Sequence, residues 1–164
     1  MAESVIIFFF IILLEIPFTL IHELGHAIPY LLFSKDAVKV QMGDGDISKK
    51  LSAGRLIIEF RGYKSLLGIT YGRVFGAPLD NRIKAIAVFL SGPFVSLIIS
   101  IISLITIKNN LEENYLIKLL LSAVFWSTMG KGIVTLMPVI YSFYPYKSVK
   151  SDGYRILQLI RNKY

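Results

Sequence analysis

The sequence contains no cysteine, only two histidines and few charged residues. Without cysteine, disulfides and thiolate metal sites are excluded. Charged residues make up 18% of the 164 residues, hydrophobic residues make up 54%, and the mean hydropathy is +0.62. This composition argues against a soluble domain and favours a protein embedded in a lipid bilayer. The net charge of +7 is then better explained by basic segments at the membrane surface than by a nucleic-acid partner.

Three apolar segments are long enough to cross a bilayer as helices. They lie at about residues 5–33, 83–107 and 115–140. A membrane span needs about 20 apolar residues, and a helix satisfies its own backbone hydrogen bonds inside lipid. We therefore predict a mainly α membrane protein with a three-transmembrane-helix core, forming a single domain over residues 1–164.

A more polar stretch, at about residues 35–80, separates the first two apolar segments. It contains short β-branched and aromatic runs punctuated by glycines, which predict a surface sheet of two to four strands. These runs are "AVKVQMG", "GRLIIEFRGY" and "GITYGRVFG". The chain closes with a predicted amphipathic helix at about residues 152–164, with Ser151 or Asp152 as its N-cap.

Basic residues are distributed unevenly between the connections. Residues 34–84 hold ten Lys and Arg, residues 108–118 hold two, and residues 139–164 hold five. Because cytoplasmic loops are enriched in Lys and Arg, this pattern predicts an N-terminus outside the membrane. The surface sheet and the C-terminus are then predicted on the cytoplasmic side of a multi-pass cell-membrane protein.

The first apolar segment contains the sequence "HELGH". Its two histidines, His22 and His26, are four residues apart, so a helix presents both imidazoles on one face, where they can bind one Zn²⁺. Glu23 is rotated by about 100° from His22 and is expected to activate a zinc-bound water as a general base. Ionisable residues inside a membrane span are costly, which favours a functional site over a chance match.

A catalytic zinc usually has three protein ligands and one open position. The third ligand must come from outside HELGH, and spacing alone leaves six carboxylates open. They are Asp36, Asp44, Asp46, Glu59, Asp80 and Asp152.

The sequence resembles the site-2 protease family of intramembrane zinc metalloproteases. Members carry HExxH on one transmembrane helix and a later N-x-x-P…D-G element whose Asp is the third zinc ligand. Here HELGH matches the first element, Pro138 and Asp152-Gly153 match the second, and "SGPFVS" at residues 91–96 is similar to a G-P element of the intervening helix. The resemblance implies that Asp152 is the third ligand. Thr135 stands at the position of the family asparagine, and Pro138 and Asp152 are 14 residues apart, longer than the usual gap.

Three further polar residues are candidates for contacts with substrate or with an oxyanion. Thr135 is one, because the resemblance implies a role in orienting the substrate carbonyl. Glu15 lies on the helical stripe of the two histidines; it either lines a water path or touches substrate, or is simply paired against neighbouring helices. Lys131 is expected to snorkel to the cytoplasmic surface rather than to stabilise an anionic intermediate.

These observations together predict a membrane-embedded zinc metalloprotease that cleaves membrane-anchored substrates, which either "RLIIEF" or "GITYGRVF" could hold at a free strand edge. The alternative is a non-proteolytic zinc-binding membrane subunit or immunity-type protein with the same core. A zinc transporter fits less well, because it would need several clusters of ligands along a path. Nothing in the sequence selects between a lone chain, a homo-oligomer and a membrane partner.

Overall fold

The fold is mostly helical, with a small sheet inserted after the first helix. The structure is a computed structural model that describes residues 2–62, 72–109, 114–142 and 147–161. In chain order the elements are α1 (Ala2–Phe33), β1 (Val38–Met42), β2 (Ile47–Ala53), β3 (Leu56–Arg61), β4 (Gly72–Phe75), α2 (Arg82–Lys108), α3 (Tyr115–Leu136) and α4 (Asp152–Ile160).

Within the described residues, three helices are long and apolar enough to span a membrane. They are Glu3–Phe33, Arg82–Lys108 and Tyr115–Leu136. The prediction of three long apolar helices with a small sheet between the first two is confirmed at this level. Large hydrophobic side chains lie exposed along all three helices, as lipid-facing surfaces require.

Side-chain caps and a proline define the helix ends. The side chain of Asn81 accepts hydrogen bonds from the backbone N–H groups of the second and third residues of α2, and Asn114 does the same for α3. Helix α3 ends at Leu136, about four residues earlier than predicted, because Pro138 disfavours helical backbone at Met137. Helix α4 begins where predicted and ends at Ile160, with Arg161 as its C-cap; residues 162–164 of its predicted range lie outside the described residues.

The sheet has the strand order β2-β3-β1-β4. Strands β1 and β3 are parallel, whereas β4 pairs antiparallel with β1 and β2 pairs antiparallel with β3. Residues 68–71 of the predicted "GITYGRVFG" strand lie outside the described residues, and β4 is the part that is described. Two to four strands were predicted, and four are present among the described residues.

The sheet packs along the second half of α1 rather than beyond its end. Alternate side chains of β1, namely Val38, Val40 and Met42, are fully buried together with Ala27 of α1. Because strand side chains alternate between two faces, this register turns one face of the sheet onto the helix. The strands are thereby held beside the turns of α1 that carry HELGH.

Helices α1 and α2 approach each other closely at two glycines. A Cβ atom added at Gly25 would lie 2.9 Å from the Cα of Gly92. Small residues at such a crossing allow two backbones to come into contact. This contact brings α2 against the histidine face of α1.

Candidate metal centre

The two histidines of HELGH project from one face of α1, as their spacing predicts. His22 and His26 are 4% and 5% exposed, and their Nε2 atoms are 3.3 Å apart. In a helix, residues four apart lie one above the other, about one turn apart. Two imidazole nitrogens therefore converge on one point in a buried environment.

Asp152, the first residue of α4, reaches the same point from the other end of the chain. Its Oδ2 atom lies 3.5 Å from Nε2 of His22 and 3.3 Å from Nε2 of His26. Among the described residues, His22, His26 and Asp152 form the one group of three or more His, Asp or Glu side chains placed to hold a metal ion. Of the six carboxylates left open by the sequence, Asp152 is the one beside the histidines.

The other five carboxylates lie on the sheet and its connections. Glu59 accepts hydrogen bonds from Arg61, the shorter at 2.7 Å, and this contact, with Lys39 nearby, lowers the pKa of its carboxyl group. Asp36 accepts from the hydroxyl of Ser34, and the remaining carboxylates lie in the β1–β2 turn or at the start of α2. These last are Asp44, Asp46 and Asp80.

A short β-bridge and a helix cap position Asp152. Ile140 pairs with Lys150, so the chain leaving α3 doubles back and spans the 14 residues between Pro138 and Asp152. The hydroxyl of Ser151 accepts from the N–H of Tyr154 and caps α4. Because Ser151 is the cap, the Asp152 carboxylate remains available to the histidines. Residues 143–146 of the connection lie outside the described residues.

The Asp152 carboxylate is matched electrostatically to this position. Burial alone raises the pKa of its carboxyl group, but the neighbouring His26 and His22 rings outweigh burial and bring that pKa below its ordinary value. The ionised form is the one that binds metals. The contact with the two imidazole rings thus favours the ionised carboxylate.

Two groups on α2 orient the imidazole rings through hydrogen bonds to their Nδ1 atoms. Nδ1–H of His26 donates to the backbone oxygen of Val88 at 2.6 Å, which leaves Nε2 with its lone pair. Nδ1 of His22 shares a 3.0 Å hydrogen bond with the hydroxyl of Ser96, which is 2% exposed. Sequence reasoning missed both contacts, although Ser96 is the last residue of "SGPFVS".

The three ligand atoms fit a tetrahedral zinc site. Nitrogen and oxygen ligands bind zinc at about 2.0 to 2.2 Å, so two of them at a tetrahedral angle are about 3.3 to 3.6 Å apart. The three edges observed between His22, His26 and Asp152 are 3.3, 3.3 and 3.5 Å. Two histidines and one carboxylate are also a common ligand set of catalytic zinc, with the fourth position left open.

Glu23 lies against the sheet, next to the first residue of β4. A Cβ atom added at Gly72, the first residue of β4, would lie 2.6 Å from Oε1 of Glu23. The backbone of β4 is therefore close to the Glu23 carboxylate. A side chain at position 72 would require Glu23 to move. Glu23 directly follows His22 in the chain and is not a member of the His22, His26 and Asp152 group.

The sheet edge nearest the site is β4. Strand β4 is the last strand in the sheet order, beside β1, whereas β3 lies between β2 and β1. The prediction that "RLIIEF" could supply a free edge is therefore wrong, because β3 is paired on both sides. The described part of "GITYGRVF" is β4, which is an edge strand among the residues that the structure describes.

The three remaining candidate residues form intramembrane contacts. Nζ of Lys131 donates to Oε1 of Glu15 at 2.7 Å and also to the hydroxyl of Thr19. The predicted snorkelling of Lys131 is wrong, because its ammonium is held between helices and its side chain is only 12% exposed. Of the two alternatives given for Glu15, the structure shows the second, in which its carboxylate is paired with a group on a neighbouring helix. The hydroxyl of Thr135 donates to the backbone oxygen of Lys131 at 2.9 Å.

Comparison of the chain with protein-family models, with curated proteins and with solved structures found no match.

Proposed function

We propose that the protein is a membrane-embedded zinc metalloprotease that cleaves peptide bonds of membrane-anchored substrates. The observation that carries this proposal is the triangle of His22 Nε2, His26 Nε2 and Asp152 Oδ2, whose edges suit a tetrahedral ion with one open position. A zinc ion bound there would supply Lewis-acid polarisation of the reacting oxygen atoms.

Glu23 is the proposed general base. Its carboxylate lies beside the ligand triangle and not within it. In this position Glu23 accepts a proton from the attacking water and returns that proton to the nitrogen of the leaving amine. Metal binding alone requires no such carboxylate, so its presence next to the ligands favours hydrolysis over simple zinc storage.

Strand β4 is the proposed binding edge for the substrate. A peptide bond is accessible to attack only when the backbone is extended, because a helix engages its carbonyl groups in hydrogen bonds. An extended segment can add to an exposed strand edge through main-chain hydrogen bonds. Because Gly72 at the start of β4 lies against Glu23, a peptide on this edge would pass close to the base.

The apolar helices explain the choice of substrate class. Three helices are long and apolar enough to span a membrane, and both histidines lie within the first of them. A metal site in that position can meet segments that are themselves anchored in lipid. We further propose, from the distribution of Lys and Arg, that the N-terminus lies outside and that the sheet and C-terminus are cytoplasmic.

A second candidate function is a non-proteolytic zinc-binding membrane subunit. The observation in its favour is Thr135, whose hydroxyl donates to its own helix and is therefore not directed at a substrate carbonyl. Oxyanion stabilisation often contributes strongly to hydrolysis. The two candidates differ in whether Glu23 is needed for any covalent change in another protein.

The test compares Glu23→Gln with the wild type in the membrane proteome of expressing cells. We expect the wild type alone to yield shortened fragments of a membrane-anchored protein, with cleavage reduced by about 10² to 10⁴ in Glu23→Gln, because proton transfer is lost. Purified Glu23→Gln should still contain one zinc ion per chain by elemental analysis. Glu3→Gln, at the far end of the same helix, is the matched control.

Two results would contradict the protease proposal. Equal cleavage by wild type and Glu23→Gln would show that the base lies elsewhere. Zinc-containing wild type that generates no fragment would favour the non-proteolytic subunit.

A further inference from the structure

An ionic cluster links α1 to α3 inside the apolar part of the molecule. It consists of Glu15 and Thr19 on α1 and Lys131 on α3, and is called the α1–α3 clamp below. Nζ of Lys131 donates to Oε1 of Glu15 at 2.7 Å and to the Thr19 hydroxyl, which itself donates to Glu15 at 3.3 Å. Thr19 is 4% exposed.

Stability alone is a poor explanation for this cluster. The Lys131 and Glu15 side chains are 12% and 29% exposed, so both charges are largely removed from water. Such a pair is costly to desolvate, and apolar residues of similar volume often stabilise a fold as well or better. The best-attested role of buried polar groups is to select one register between packed elements. An ion pair with both partners in membrane-spanning helices is therefore expected to fix how α3 lies against α1.

The position of α3 determines where Asp152 lies. The Ser151 hydroxyl donates to the backbone oxygen of Met137 at 2.5 Å and accepts from the N–H of Val139 at 3.1 Å, so the start of α4 is bonded to the end of α3. Gly153 packs so tightly on the Leu136 carbonyl that a Cβ atom would overlap it. These contacts tie the start of α4, and with it Asp152, to the end of α3.

The other two ligands are held by different elements. His22 and His26 belong to α1, and their Nδ1 atoms are bonded to Ser96 and Val88 of α2. The three-ligand geometry thus depends on the placement of α3 relative to α1. A metal site tolerates errors of only about 0.2 Å in its bond lengths, so a small shift of α3 would remove Asp152 from the ion.

We propose that the α1–α3 clamp is a positioning device for the metal centre, which holds Asp152 in register with the two histidines. The inference rests on the metal site of the proposed function. Thr19 is three residues before His22, which places the clamp about 4.5 Å along the helix axis from the nearest ligand. Glu15, Thr19 and Lys131 are accordingly positioning residues and not ligands.

The experiment measures Co²⁺ binding to purified full-length protein in detergent, because the visible spectrum of Co²⁺ reports the number and type of its ligands. Asp152→Ala supplies the reference spectrum of a site with two histidines. We expect Glu15→Gln and Lys131→Met to shift the spectrum toward this reference and to weaken Co²⁺ binding by about 10- to 100-fold, the size typical of losing support around a metal ligand.

The charge-reversed variant Glu15→Lys/Lys131→Glu rebuilds the ion pair and should restore the wild-type spectrum. Thr128→Val is the matched control, because Thr128 is a buried polar residue of α3 bonded to its own helix at Val124. It should leave the spectrum unchanged. Restoration by charge reversal would not be expected if Lys131 acted only through its positive charge.

Several results would overturn the clamp. If both single variants give the wild-type Co²⁺ spectrum and affinity, the clamp is refuted and the metal site is retained. If the charge-reversed pair does not restore a spectrum lost in the single variants, the clamp is also refuted. If the single variants do not fold, the charge-reversed pair is the test. The clamp predicts that this variant folds and gives the wild-type spectrum, and any other result contradicts the clamp. A wild type that binds no Co²⁺ would overturn the metal site and the clamp together.

Discussion

At the scale of single residues, the orientation of the histidine rings depends on groups outside HELGH. Ser96 is hydrogen-bonded to Nδ1 of His22, and the Val88 carbonyl accepts from Nδ1 of His26. Such partners fix the ring and the tautomer and increase ligand basicity. The backbone oxygen of Val88 cannot be removed by substitution, whereas the hydroxyl of Ser96 can.

Ser96→Ala should therefore weaken zinc binding without removing a ligand. We expect a loss of about 10- to 100-fold in affinity, measured by competition with a fluorescent chelator. Ser103→Ala is the control, because Ser103 is equally buried on the same helix but seven residues farther along it. Equal affinities for the two variants would mean that Ser96 does not orient His22.

Among single residues, the local spacing of the histidines was predictable from the sequence, whereas contacts between distant residues were not. The spacing of His22 and His26 is a local property of a helix, so it can be read directly from the sequence. Asp152 lies 126 residues beyond His26 in the chain, and only the motif resemblance selected it among six carboxylates. The pairing of Lys131 with Glu15 joins two helices 116 residues apart, which no local pattern specifies.

At the scale of elements, the helix spans were predictable because length and apolar composition determine them. The sheet was predictable only as a set of strands. Its order, with β1 between β3 and β4 and parallel to β3, depends on which strands bury Val38, Val40 and Met42 against α1. That choice is made by tertiary packing and not by strand propensity.

The crossing of α1 and α2 is the element contact on which the metal centre depends most directly. A Cβ atom on Gly92 would overlap the ring of His26, so Gly92→Ala must move α2 away or turn the imidazole. We expect reduced zinc content in the purified variant, measured by elemental analysis. Gly130→Ala is the matched control, since a Cβ atom there meets nothing within 4 Å. Unchanged zinc content in Gly92→Ala would show that α1 and α2 can move apart at this crossing without loss of metal binding.

At the scale of the whole molecule, the three residues placed to hold a metal ion come from both ends of the chain and converge between its apolar helices. Two ligands belong to α1, and the third begins α4, near the end of the chain. The three residues therefore meet only in the folded arrangement of the helices that carry them. If the proposed zinc ion binds there, its binding is coupled to the complete fold.

The orientation of this bundle in the membrane can be tested by labelling single cysteines. The chain has no cysteine, so single cysteines at Lys50 on β2 and at Asn109 after α2 are unique labelling sites, and both positions are exposed. Because Lys and Arg are concentrated around the sheet, we expect Lys50→Cys to be cytoplasmic and Asn109→Cys to be outside. A membrane-impermeant maleimide applied to intact cells should label Asn109→Cys alone, and lysis should make both reactive. Labelling of both sites in intact cells, or of Lys50→Cys alone, would contradict this orientation and place the metal centre nearer the opposite membrane surface.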